Sequence, residues 1–197
     1  MLVTLASPAP FTDIHAVSDP ASSCFVYEHG WQSWSPAGLY RADIEHSPRP
    51  QKHIWQAMGF RPEVPSPASG FQGEGLLAVV HADRRADVFL SPRPDVDVAS
   101  IRARVEGDRV VVSANGTVEH LVAGSLDAGL AQVGERLSAR LVTTPLSALP
   151  AGWCSWYTYW NTVTAQDVIE NLAVIDHADL GIDVVHVDDG YQREIGD

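Results

Sequence analysis

The chain has 197 residues, of which 45% are hydrophobic and 19% charged; that is enough apolar material for one or two cored domains and too little charge for a disordered protein. Its 13 basic residues against 25 acidic ones give a formal net charge of −12, which argues against nucleic acid and against anionic membrane surfaces. A neutral polar ligand is easier to reconcile with that field.

The start, Met1 to Pro8, lacks a basic leader region, and Pro8 and Pro10 interrupt its apolar run. No run approaches the length of a membrane span, so the expectation is a soluble, cytoplasmic protein. Short β-rich runs follow: Cys24–Glu28, Leu76–Val80, Asp87–Ser91 and Val96–Val105, separated by Gly, Pro and Asp clusters as in all-β sandwiches. The plainest hairpin signal is Arg109–Ser113, then Asn115-Gly116, then Thr117–Val122, because Asn-Gly supplies the two positive-φ positions of a type I′ turn. Asn115-Gly-Thr117 also matches a glycosylation sequon, but the turn is the preferred reading. Residues 41–73 carry prolines at 48, 50, 62, 65 and 67 and read as a long irregular connection, a candidate wall of a site that includes His46, Gln51 and His53.

Leu126, Leu130, Val133, Leu137 and Leu141 recur at helical spacing. Pro145 and Pro150 then prevent a helix from continuing, so a domain boundary is expected near residue 145. A strand through Gly152–Trp156 opens the last segment. A helix follows with Thr164 as N-cap, Asp167 in the capping-box position, Val168, Leu172 and Ile175 as its buried stripe and Gly181 at its stop. Asp183–Val187 is the next strand, valine-rich like a buried parallel strand. The organisation is therefore a β-sandwich domain over 1–125, a helix and linker over 126–150, and over 151–197 the start of a parallel α/β barrel. The fold class is multi-domain, β plus α/β.

The chemistry concentrates at the ends of those last two strands. Asp188 and Asp189 are adjacent carboxylates, able to hold a metal, to act as acid and base, or to accept hydrogen bonds from vicinal hydroxyls. The tryptophans and tyrosines nearby favour the last role, since flat apolar rings suit the C–H face of a sugar. The plainer alternative is that Asp-Asp-Gly is only a turn with one Asp as a cap. Trp153, Trp156, Tyr157, Tyr159 and Trp160 are dense enough to line a pocket, although aromatics are more often core; alternation sends Trp153 and Trp156 to opposite sides of a strand. Trp31 and Trp34 form a second aromatic cluster, for which a core plug is the plain reading. His186 reads as a packed histidine and Cys154 as a small core residue. Cys24 and Cys154 are the only cysteines and form neither a disulfide framework nor a metal motif. No histidine or further acid stands at ligand spacing beside the aspartates, so neither metal nor cofactor is expected.

Gly152-Trp-Cys-Ser-Trp-Tyr157, Val163-Thr164 and Asp188-Asp-Gly-Tyr-Gln-Arg-Glu-Ile-Gly-Asp197 resemble the opening barrel segment of family 36 α-galactosidases (melibiases). Gly30-Trp-Gln-Ser-Trp34 resembles the short motif of their N-terminal β-supersandwich domain. The resemblance implies that Asp188 and Asp189 bind the O4 and O6 hydroxyls of galactose. It also implies that Trp156 and Tyr157 line the same subsite and that Trp34 reaches it from the sandwich. The implied substrate is an α-galactoside oligosaccharide of the melibiose or raffinose type, and the full-length protein could be an oligomer. Such retaining enzymes hold a nucleophile and an acid/base roughly 5 Å apart on later barrel strands. No part of this chain aligns with those residues, and a complete (β/α)₈ barrel takes about 250 residues. The expectation is thus an N-terminal fragment with a truncated barrel and a shortened sandwich, carrying no catalytic residue and inactive alone. A raffinose-synthase-type transglycosidase and a non-catalytic galactose-binding remnant are the alternatives, with a metal-dependent hydrolase on the aspartates weakest.

Overall fold

A computed structural model describes residues 9–32, 35, 37–44, 61, 64, 67–141 and 148–193. The chain divides into two compact units, Met1–Thr143 and Thr144–Asp197. The first is a sandwich of two antiparallel sheets. One sheet has the order β1-β8-β7-β4, from Thr12–Pro20, Arg109–Ala114, Ser100–Glu106 and Phe71–Glu74. The other has the order β3-β2-β5-β6-β9, from Gly38–Arg41, Phe25–Glu28, Leu76–Val80, Ala86–Leu90 and Glu119–Ala123.

Alternation along the strands sorts the side chains into two cores. Val17, Val26, Leu77, Val79, Phe89, Ile101 and Val112 fill the space between the sheets. Ala78, Val88, Leu90 and Leu121 face the other way and receive Val133 of helix α1 (Leu126–Arg140). That double burial explains why β6 is buried at every position and reads as a continuous run. Gly129 lets α1 approach closely, since a Cβ there would lie 2.7 Å from Val88 Cγ2.

The hairpin expected at Asn115-Gly116 is not formed. β8 pairs with β1 and β7, whereas β9 pairs with β6, so these two residues cross from one sheet to the other. Asn115 is used differently: its N–H donates to Ser100 O at 3.2 Å and its Oδ1 accepts from Ser100 N at 2.8 Å. The tight hairpin lies one connection earlier, between β7 and β8, with Gly107 at φ 61°. Three strands, β1, β3 and β4, have no clear signal in the sequence. β1 carries two register irregularities against β8 that blur its alternation, and β3 and β4 are only four residues each. Val96–Ala99 precedes β7 rather than opening it. Of the proline-rich stretch 41–73, residues 45–60 lie outside the described residues, and His46, Gln51 and His53 with them.

The second unit is one βαβ unit. β10 (Gly152–Cys154) and β11 (Val184–His186) pair in parallel, joined by a short helix α2 (Trp156–Tyr159), a 3₁₀ turn at Trp160–Thr162 and helix α3 (Ala165–Ala178). The capping box is formed: Thr164 Oγ1 accepts from Asp167 N at 3.2 Å and Asp167 Oδ2 accepts from Thr164 N at 2.8 Å. Thr164→Ala is expected to cost about 0.5–2 kcal/mol of helix stability. A lower helical signal and an earlier urea midpoint for this unit would register it. Asp179 (φ 45°) is the left-handed cap, with Gly181 (φ 62°) two residues on.

Two expectations fail here. Val168, Leu172 and Ile175 do not form a buried stripe: no residue of α3 is buried, and Leu172 is 42% exposed. Val184 likewise stays 45% exposed. Two three-residue strands offer too small a face to cover a 14-residue helix. The described residues form one such unit and no closed barrel. Among them no helix is long and apolar enough to cross a membrane.

Candidate functional site

The parallel register places Cys154 opposite His186, so the chain leaves both strands at the same end. Ser155 joins the two exits. It is fully buried, its N–H donates to His186 O at 3.1 Å, and its Oγ accepts from Asp188 N at 2.9 Å. Thr158 and Tyr159 donate their N–H groups back to Ser155 O, which starts α2 immediately after the strand. The strand therefore ends at Cys154, not Trp156, and the expected alternation of Trp153 and Trp156 does not apply. The sequence places Ser155 inside the expected strand, and a small polar residue between two tryptophans is its one signal there.

Asp188 and Asp189 are both half-buried at the carboxyl end of β11. Asp188 Oδ1 accepts from Asp189 N at 2.8 Å, and Asp189 Oδ1 accepts from Gln192 Nε2 at 2.9 Å. Gln192 Oε1 in turn accepts from Gly190 N at 3.0 Å, closing a small loop. Asp189 Oδ2 has no hydrogen-bond partner among the described residues. Gly190 sits at φ 111°, and a Cβ there would lie 2.6 Å from the Asn161 carbonyl carbon. The Asp-Asp-Gly turn is thus pressed against the 3₁₀ segment that follows the aromatics. Gly190→Ala is expected to displace this turn at a cost of about 1–3 kcal/mol. Shifted amide resonances at both Asp188 and Asn161 would register it, and an unchanged spectrum would contradict the close approach.

The aromatics divide into two groups. Trp153 and Tyr159 pack together with ring centroids 6.5 Å apart, and Tyr159 Oη accepts from Asn171 Nδ2 at 2.7 Å, which ties α2 to α3. Trp156 is half-buried and tilts on Trp160 with centroids 5.1 Å apart, while Tyr157 is 85% exposed. Trp160 adopts φ 53°, unusual for a bulky residue, and this turns its ring onto Trp156. Of the residues expected at the site, Trp156 and Tyr157 follow the exit of β10, and Asp188 and Asp189 follow the exit of its parallel partner β11.

His186 is not packed as expected; its side chain is 62% exposed. The expectation that no histidine stands near the aspartates is also overturned. His186 Nε2 and Cys154 Sγ each lie 3.6 Å from Asp188 Oδ2, a grouping able to hold a metal ion. Strand pairing creates that neighbourhood, and linear spacing could not display it.

Trp34 lies outside the described residues. On either side of it, Ser35 N donates to Gln32 O at 2.9 Å and Gln32 N donates to Ser35 Oγ at 3.2 Å. Trp31 beside it is 40% exposed and lines a cavity of about 710 Å³ with Arg61, Glu74 and Asp97. Burial pushes the Glu74 carboxyl above its usual range, against hydrogen bonds donated by Ser100 and Gln72.

No protein-family model matches the chain. Its fold does match a solved enzyme. With the α-galactosidase TtGalA from Thermus thermophilus in complex with stachyose, the TM-score is 0.66 at 23% identity, over 95% of this chain and 39% of that one. With TtGalA in complex with p-nitrophenyl α-D-galactopyranoside, the TM-score is 0.64 at 26% identity, over 98% and 38%. The resemblance drawn from two short motifs thus extends across nearly the whole chain, which spans less than two fifths of that enzyme's length.

Proposed function

We propose that this chain carries the sandwich and the galactose-reading wall of a retaining α-galactosidase. The substrate class is terminal α-galactosides of the melibiose or raffinose type. The observation that carries the reading is the pair Asp188 and Asp189, half-buried just past β11, with Trp156 and Tyr157 just past its parallel partner β10. The shared fold with TtGalA supports it.

Galactose has an axial O4, which brings O4 and O6 to one side of the ring, where two neighbouring carboxylates can accept from both. An equatorial O4 leaves a charged acceptor unpaired, a penalty of about 1–3 kcal/mol or more. Trp156 and Tyr157 offer ring faces to the apolar side of the sugar. Ser155 is a positioning residue, since its hydroxyl holds the Asp188 backbone. In such an enzyme the nucleophile and acid/base stand on other barrel strands, and the residues here supply recognition.

Two measurements test this. Titration with methyl α-galactoside should shift the amide resonances of Asp188, Asp189 and Trp156, and methyl α-glucoside should not. Equal response to both sugars, or to neither, removes the reading of the aspartate pair. Release of nitrophenol from p-nitrophenyl α-galactoside by the pure chain would overturn the placement of the catalytic carboxylates elsewhere.

A further inference from the structure

A second concentration of titratable side chains lies on the sandwich, and it centres on one carboxylate. Asp87 is the second residue of β6 and is only 5% exposed. It shares its side of the strand with Phe89, while Ala86, Val88 and Leu90 face α1. Three imidazoles converge on it. His120 of β9 lies opposite Phe89 in the register, stacks on that ring at 4.7 Å and 8°, and brings Nε2 to 2.7 Å from Asp87 Oδ1. His15 of β1 crosses from the other sheet, with Nε2 3.3 Å from Asp87 Oδ2 and its ring 4.7 Å from that of His120. His81 follows β5, with Nε2 2.7 Å from Asp87 Oδ2 and Nδ1 3.3 Å from Asp19 Oδ2. Burial opposes ionisation of Asp87, but hydrogen bonds from His120 and His81 outweigh it and hold the carboxyl below its usual range.

We propose that His15, Asp87 and His120 bind one divalent transition-metal cation of the zinc type, linking an edge strand of each sheet across the sandwich. Their donor atoms all lie within 4.8 Å of one another. Imidazole nitrogen and carboxylate oxygen are the ligands such ions take, at bonds of about 2.0–2.2 Å, which sets neighbouring donors about 3.3 Å apart in a tetrahedron. His15 Nε2 already stands 3.3 Å from Asp87 Oδ2, and His120 Nε2 stands 2.7 Å from Asp87 Oδ1. A small turn of the carboxylate, with the His120 contact opening by a few tenths of an ångström, brings one oxygen into range of both imidazoles as the metal replaces the shared proton.

His81, with Asp19 behind it, stays on Asp87 as the outer hydrogen bond that fixes a ligand carboxylate. The His15 and His120 side chains are 29% and 36% exposed, so a hydrated ion can enter and keep a water in the fourth position. Among the described residues β1 and β9 each lie at an edge of their sheet, so the ion joins an edge strand of one sheet to an edge strand of the other. The net charge of −12 adds to the attraction for a cation.

The test uses the whole chain. One equivalent of Co²⁺ should give the visible d–d bands of a tetrahedral site without the near-ultraviolet charge-transfer band of a thiolate ligand, and Zn²⁺ should displace it. In ¹⁵N spectra of histidine-labelled wild type, Nε2 of His15 and His120 should move on zinc addition. His15→Gln and His120→Gln, each checked for native circular dichroism, should weaken zinc binding at least about tenfold and cancel the zinc-induced rise in melting temperature. Cys154→Ser and His186→Gln should leave both unchanged, which separates this site from the grouping at the end of β11. Absence of saturable zinc or cobalt binding overturns the proposal. So does undiminished affinity in both His15→Gln and His120→Gln, or binding lost on Cys154→Ser.

Discussion

Asp188→Ala and Asp189→Ala are each expected to weaken methyl α-galactoside binding at least tenfold and to erase the preference over the glucoside. Each removes a charged acceptor, and a hydrogen bond to a charged group contributes about 1.5–3 kcal/mol, a factor of ten or more. The two variants should differ in their side effects. Asp188 Oδ1 holds the Asp189 N–H, so losing it also loosens its neighbour. Asp189 contacts Gln192, and its loss should leave the Asp188 resonances in place. Asp189→Asn preserves shape and removes only charge, so it should retain part of the Gln192 contact while losing sugar affinity. Binding by Asp188→Ala and Asp189→Ala at wild-type strength would show that the pair is an ordinary turn.

Phe89→Ala should produce the largest loss of stability in the sandwich. Phe89 is 1% exposed, lies between the sheets, and stacks on His120. Truncating a buried phenylalanine costs about 3–5 kcal/mol, through lost burial and the cavity left behind. For a unit of this size that corresponds to a melting temperature lower by roughly 10 °C. Urea unfolding followed by circular dichroism measures it directly. A loss under about 1 kcal/mol would mean that the core closes over the gap. Because Phe89 backs the His120 ring, the variant should also weaken zinc binding, coupling the two measurements.

Much of this chain was legible because the signals were local. Leu76–Val80 is a strand with the bounds its β-rich run suggested. The periodic leucines from Leu126 make a helix ending at Arg140, and Thr164 and Asp167 form their capping box. Each depends on residues within about four positions of one another, where hydrogen bonding and side-chain periodicity are set by the backbone alone. The aspartate pair and the aromatics at two strand ends were legible for the same reason, as was the family resemblance their motifs carried.

Tertiary structure decided what depended on partners distant in the chain. Asn115-Gly116 has the composition of a hairpin, yet it crosses between sheets, because β8 finds β1 and β7 while β9 finds β6. Ser155 lies inside the Gly152–Tyr157 motif but becomes a positioning residue only when β11 comes alongside β10. His15, His81, Asp87 and His120 are scattered over 106 positions by their numbers and meet only across two sheets. Local sequence set which residues could form strands, helices and caps, since those preferences reside in a residue and its near neighbours. Which of them face one another was decided by strand pairing and sheet packing, where the free energy comes from burying surfaces that linear order does not bring together.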